Sequence, residues 1–211
     1  MNPPKKRPAI TLNSKDEIVL AFRRDQVVSA AHRIFAAKGF AKATVDEIAE
    51  AAGVAKGTVY LYFESKEEIY WAALNRGLDE LHARTREAFD SETTPKAKLR
   101  AFINTRARYF EDDREFFHVY IAEFANVVPQ LVGARKEFQR RRSEQVAMLD
   151  EAMQKASREQ GIRKPVVPGL GDYILALTHS LVLRRLQDGP RRTLAADVDA
   201  AVNLLWNGLA P

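Results

Sequence analysis

Cysteine is missing from the 211-residue chain, which excludes a disulfide scaffold, a zinc–thiolate site and a cysteine nucleophile. Its absence fits a reducing cytoplasm. No run approaches the ~18 uninterrupted apolar residues of a membrane span. The N-terminus, Met1 to Arg7, is basic, but no apolar stretch follows it. Ser14, Lys15, Asp16, Glu17, Arg23, Arg24 and Asp25 stand where a secretory signal would be hydrophobic. A cytoplasmic protein without membrane contact is therefore expected. Period-2 alternation bounded by hairpin turns is also lacking, so no strand is expected. Enzyme signatures are equally scarce. His32, His82, His118 and His179 show no metal-ligand spacing, and there is no nucleophile elbow, phosphate loop or dinucleotide fingerprint. No metal, no cofactor and no catalytic residue is expected.

What remains is an ordinary globular composition, 46% hydrophobic and 29% charged. Lys plus Arg number 33 against 28 for Asp plus Glu, a net charge of +5. That balance is compatible with nucleic acid but does not by itself require it. Residues 1 to 13, with prolines and basic residues, read as a flexible basic arm, either solvated or touching DNA. Apolar residues at helical spacing then fill the chain. Ser14 and Glu17 have capping-box spacing and open a helix that Gly39 ends, with Val27, Ala31, Ile34 and Phe35 on its apolar face. Ser65 and Glu68 open another that reaches Phe89. Pro95 starts the next, carrying Leu99, Phe102, Ile103 and Tyr109. Asp112-Asp113 interrupts the pattern. Arg114 to Val128 resumes it and Pro129 ends it. A long helix from about Leu131 to Gln160 is closed by Gly161, and Pro165 to Gly171 is a loop. Two last helices run from about Asp172 to Gln187 and Leu194 to Gly208. About nine helices make an all-α fold.

Residues 40 to 66 are the most informative. Thr44 and Glu47 form a capping box, in which the Thr44 hydroxyl accepts from the backbone of residue 47 and the Glu47 carboxylate reaches back. The short helix behind it turns Val45, Ile48, Ala49 and Ala52 inward, and Gly53 turns the chain. A second short helix runs from Ala55 or Lys56 to about Phe63. Two short helices joined by a tight glycine turn are a helix-turn-helix unit. On the second helix Val59 and Phe63 face the core, which leaves Lys56, Gly57, Thr58, Tyr60 and Tyr62 outward or at its start. Gly57 costs the helix roughly 1 kcal/mol against alanine. A glycine there is reasonable if something must approach the backbone closely, and DNA is such a thing. Lysine and tyrosine donate to phosphates, which a helix N-terminus also attracts.

Thr44, Ile48-Ala49, Ala52-Gly53-Val54-Ala55-Lys56-Gly57-Thr58-Val59-Tyr60, Tyr62-Phe63 and Ser65-Lys66-Glu67 together resemble the TetR (tetracycline-repressor-like) family of transcription regulators. The resemblance is dense over residues 25 to 75. Ala55 departs from it, since the family often has serine there, and weakens the cap of the second helix. The resemblance implies that Lys56, Gly57 and Thr58 lie near base edges and adjoining backbone, that Tyr60 and Tyr62 contact phosphates or thymine methyls, that Leu61 faces the groove, and that Thr44 and Lys66 clamp phosphates. Lys66 is electrostatically odd in a first helical turn, where a cation opposes the dipole, and a phosphate would resolve the oddity.

Aromatic residues concentrate farther on. Phe102, Tyr109, Phe116, Phe117, Tyr120 and Phe124 are either core packing or the lining of a ligand cavity, with polar residues such as His179, Arg106, His118, Glu123 and Asn126 to orient the ligand. Arg140-Arg141-Arg142 reads as a solvated face. The last two helices carry apolar residues on more than one side: Ile174, Leu177 and Leu181, then Leu175, Val182 and Leu186, on the first, and Val198, Val202, Leu205 and Trp206 on the second. Apolar stripes on two sides need a second partner. A two-fold homodimer through Ile174, Leu177, Leu181, Val198, Val202, Leu205 and Trp206 meets that need and is what the resemblance implies. The expected protein has a DNA-binding domain at residues 1–66 and a ligand-binding and dimerisation domain at 67–211. It is a regulator, most simply a repressor, that binds a palindromic operator in double-stranded DNA and is released by a small apolar or aromatic effector. A helical adaptor without DNA binding and an all-α enzyme are the rival readings.

Overall fold

A computed structural model of the chain describes residues 14–124, 132–159 and 169–209. The arm at residues 1–13, Pro129, Gly161 and most of the 165–171 loop lie outside the described residues. Among the described residues there are nine helices and no strand. They are α1 (Ser14–Lys42), α2 (Val45–Ala51), α3 (Lys56–Tyr62), α4 (Lys66–Asp90), α5 (Pro95–Asp112), α6 (Arg114–Phe124), α7 (Val132–Glu159), α8 (Leu170–Asp188) and α9 (Leu194–Leu209). The chain divides into two compact units at Tyr70 and Trp71, within α4.

The first unit is built from α1, α2, α3 and the first residues of α4. Gly39 breaks α1 with φ 71° and ψ 167°, a conformation that suits glycine, and one further turn follows. The inward face of α1, with Val27, Ala31 and Phe35, meets Ile48, Ala49, Val59 and Phe63 in a core from which water is nearly excluded. Phe35 and Phe40 pack edge-on against Tyr70, at centroid distances of 5.0 and 5.2 Å.

In the second unit α5 is the central element, in contact with α6, α7, α8 and α9. Thr94 caps it by accepting from the Ala97 N–H, with Pro95 in its first turn. Phe89, Leu99, Phe102, Ile103, Leu149, Met153, Ile174, Leu175, Val198 and Val202 form one apolar core. Two glycines permit close approach. A Cβ on Gly77 would run into the Phe116 ring, and one on Gly171 would lie 2.7 Å from the Val146 carbonyl oxygen. The buried Arg185 ties α8 to α5 and α9: it pairs with Glu111, with Asp197 at 2.5 Å, and donates to the Arg192 carbonyl.

Candidate functional site

The turn between α2 and α3 is set by local chemistry. The Thr44 hydroxyl accepts from the Glu47 N–H at 3.3 Å, and the Glu47 carboxylate accepts from the Thr44 N–H at 3.0 Å, so the capping box closes on both sides. Lys38 Nζ donates to the same carboxylate at 2.6 Å. Lys38 and the Thr44 backbone hold the Glu47 carboxyl below its ordinary range. Gly53 makes the turn with φ 67°. Ala55 gives α3 no side-chain cap, as its methyl group dictates.

α3 then presents two unlike faces. Val59 is fully buried, while Tyr60 is 40% and Leu61 67% exposed. Lys56 and Gly57 are exposed, and Thr58 and Tyr62 are half-buried. A Cβ on Gly57 would meet nothing in the chain. Internal packing therefore gives no reason for the glycine. Lys56 reaches back to Asp46 at 2.9 Å, and this carboxylate raises its pKa. Thr44, at the start of α2, is exposed as well.

Lys66 has partners inside the protein. Its ammonium donates to the Phe40 carbonyl at 2.8 Å and the Ala43 carbonyl at 3.0 Å, and lies 4.4 Å from the Phe40 ring centroid. It holds the carbonyls that follow the break in α1, where a cation is favoured. The electrostatic oddity of a lysine at the start of α4 is thus resolved inside the protein, without a phosphate. The Ser65 hydroxyl accepts from the Glu68 N–H at 3.2 Å as spacing suggested.

The aromatic residues of the second unit come together. Phe110 packs against Phe116, Phe117 and Tyr120, with centroids 5.0 to 6.0 Å apart. Tyr109 lies 5.6 Å from Phe116 and donates to Glu80. His179 enters from α8, 4.2 Å from Phe124 and 5.1 Å from Tyr120. Phe102 belongs to the apolar core, but its ring also lies under the Arg106 guanidinium at 5.4 Å. The group is closed rather than hollow. The space beside Tyr120, Arg106 and Gln145 is about 10 Å³, room for at most one water. The expected ligand cavity is not open in this conformation.

Two of the polar residues expected to orient a ligand, Arg106 and His179, lie inside this group. Arg106 is 1% exposed, and its Nη2 donates to the Tyr120 hydroxyl at 3.1 Å. Among the described residues, Arg106 Nε and Nη1 have no hydrogen-bond partner, nor do either ring nitrogen of His179, Arg142 Nε and Gln145 Oε1. Burial and the neighbouring Arg106 push His82 down to about 3 and His179 well below its ordinary value. His118 is exposed, Glu123 is buried, and Asn126 lies outside the described residues. The 140–142 run is not one solvated face. Arg140 pairs with Glu137 and Glu144 in solvent, Arg141 reaches Asp79 on α4, and Arg142 lies over the Phe124 ring and pairs with Asp172 at 2.5 Å.

The apolar stripes of α8 and α9 also need correction. Ile174, Val198 and Val202 are buried in the chain's own core, and Leu205 packs against it with Trp206 half-buried. These five are not open to a second copy as a common face. Leu177 and Leu181 instead line an outward groove of about 560 Å³ between α8 and α9, with Ser180, Arg184, Ala200 and Leu204. Tyr173 and Leu204, which the sequence reading passed over, are 56% and 69% exposed. Helical spacing marks faces but does not say which of two apolar faces turns inward. The missed signal is small residues, Ser180 and Ala200, set between large apolar ones.

Residues 27–73 match the family model of bacterial regulatory proteins, tetR family. Over 205 residues the chain is 26% identical to the HTH-type transcriptional activator FasR of Mycolicibacterium smegmatis, covering 97% of this chain and 91% of that protein. It is 38% identical over 79 residues to the HTH-type transcriptional repressor KstR2 of the same organism, 37% of this chain and 38% of that one. The chain spans a third to about half the length of other curated relatives. Among solved structures, AibR in complex with isovaleryl coenzyme A and operator DNA superposes with TM-score 0.75 at 22% identity, covering 87% of this chain and 98% of AibR.

Proposed function

Since this chain belongs to the tetR family of bacterial regulatory proteins, we propose that it is a ligand-responsive transcription regulator that binds a palindromic operator as a dimer. The observation that carries this reading is α3. It turns Tyr60, Leu61, Lys56 and an unobstructed Gly57 to solvent while Val59 anchors it from behind. A phosphate backbone could approach Gly57 without obstruction, and Lys56 would exchange Asp46 for a phosphate. Thr44, Thr58 and Tyr62 complete the contact surface. Lys66 supports it from within. Residues 1–66 act as the DNA-binding domain and 67–211 as the effector and dimer domain.

Two copies meet through the groove lined by Leu177, Leu181 and Leu204, with Tyr173 at the same exposed face of α8. A two-fold pair presents two copies of α3, so the half-sites are inverted repeats. The effector is a small molecule with an apolar or aromatic body. The isovaleryl coenzyme A named for AibR makes acyl thioesters the first compounds to try. Because the aromatic group is closed here, a bound effector has to favour an opened packing, which is the condition for it to shift the DNA-binding equilibrium. Repression is the reading adopted. The activator name of FasR supplies the alternative, decided by transcription in vitro from a promoter bearing the site.

The test is selection of bound duplexes from a random pool. The expected product is an inverted repeat, with affinity lowered in Lys56→Ala and Tyr60→Ala without loss of fold. Enrichment of no sequence would overturn the reading.

A further inference from the structure

A buried arginine normally has a carboxylate partner, because an uncompensated cation in a dry core is costly. Arg106 has none. Its charge is felt against Tyr120, and no carboxylate is among the groups that act on it. Phe102, Phe110 and Tyr120 surround the guanidinium, with ring centroids 5.4 to 5.8 Å from Cζ. Two of its nitrogens, Nε and Nη1, point at nothing, although the side chain is 1% exposed. His179, 4% exposed, leaves both ring nitrogens without a hydrogen bond in the same aromatic group. Arg142 Nε is buried and unpartnered at the border of the same small space. Arg142 pairs with Asp172 through Nη2, whereas the unused nitrogens of Arg106 and His179 have no hydrogen-bond partner among the described residues. Hydrophobic packing alone would have placed a leucine or methionine at 106.

We propose that Arg106, with Tyr120 and His179 beside it, receives the carboxylate of an effector whose body is apolar. The charge of the site selects among the effector classes. A carboxylate offers two oxygens and a full negative charge to a guanidinium fork with two unused nitrogens. The carbonyl of a thioester or ester offers an acceptor but no charge. The rings around Arg106 suit the apolar body, and Phe124 and Tyr120 must yield to admit it, since the present space holds no more than one water. Their displacement would couple occupancy to the packing of α5, α6 and α8. This inference rests on the effector-responsive reading and specifies its ligand.

The experiment measures binding, by calorimetry and by thermal shift of the full chain, for octanoate, palmitate and phenylacetate. Each is also offered as its methyl ester and its coenzyme A thioester, and each is tested for release of the selected duplex. At least one acid should bind about tenfold or more tightly than its own methyl ester, as expected of charge-assisted hydrogen bonds. Arg106→Met should abolish that preference and melt at or above the wild-type temperature, because it removes an uncompensated charge. The acid-against-ester comparison in the unaltered protein stands even if Arg106→Met fails to fold. Acids that bind no better than their esters, with thioesters releasing the duplex, would overturn the carboxylate assignment and leave the regulator reading intact. A duplex that no compound releases, with no acid bound, would overturn both the assignment and the effector reading.

Discussion

Two lysines close together in sequence have different tasks. Lys56 is exposed and bound to one exposed carboxylate, a pair worth little in water and easily exchanged. Lys66 is half-buried and donates to two main-chain carbonyls contributed by residues 23 and 26 positions earlier. Lys56→Ala should therefore leave the melting temperature nearly unchanged and lower the slope of log affinity against log salt by about one. Lys66→Ala should do the reverse. It should cost about 1–3 kcal/mol of stability by leaving the Phe40 and Ala43 carbonyls short of a donor, with the salt slope retained. Paired denaturation and salt titrations check both. The partners of Lys66 were not legible in the sequence because they are remote: a local pattern registers the clash with the helix dipole, not the distant carbonyls that relieve it. Arg106 was undervalued for a similar reason, since an arginine inside an amphipathic pattern reads as exposed until the surrounding helices close over it.

At the scale of elements, local signals proved sufficient where a helix end is decided by its own residues. The Thr44–Glu47 box, the break at Gly39, the turn at Gly53 and the Thr94–Pro95 start all formed as their side chains and φ angles require. The orientation of α8 was not legible, because it is apolar around most of its circumference and only the packing of α5, α7 and α9 decides which side is inside. The short α3 offers a clean separation of stability from function. Gly57→Ala adds a methyl group that meets no atom of the chain. It should stabilise the first unit by up to about 1 kcal/mol. The same methyl group should weaken duplex binding. A rise in denaturation midpoint accompanied by a fall in affinity is the expected pair of results; unchanged affinity would remove Gly57 from the contact surface.

For the whole molecule, the account needs two copies. Tyr173 and Leu204 are more exposed than large apolar side chains usually are, and Leu204 lines the groove between α8 and α9. Leu204→Glu would bury a carboxylate between copies at a cost of several kcal/mol. Because Leu204 is solvent-exposed in a single chain, the variant should fold, sediment as a monomer and lose operator affinity. A wild-type chain that sediments as a monomer at micromolar concentration would contradict the dimer. No helix among the described residues is long and apolar enough to cross a membrane.

The central claim is that α3 reads a DNA sequence. It is tested most directly by the ratio of affinities for the selected duplex and for the same duplex with its half-sites scrambled, measured at one fixed salt concentration. The account predicts a ratio of about 10³ or more, reduced toward unity in Tyr60→Ala with the salt slope still steep. Equal affinities for the two duplexes would contradict it.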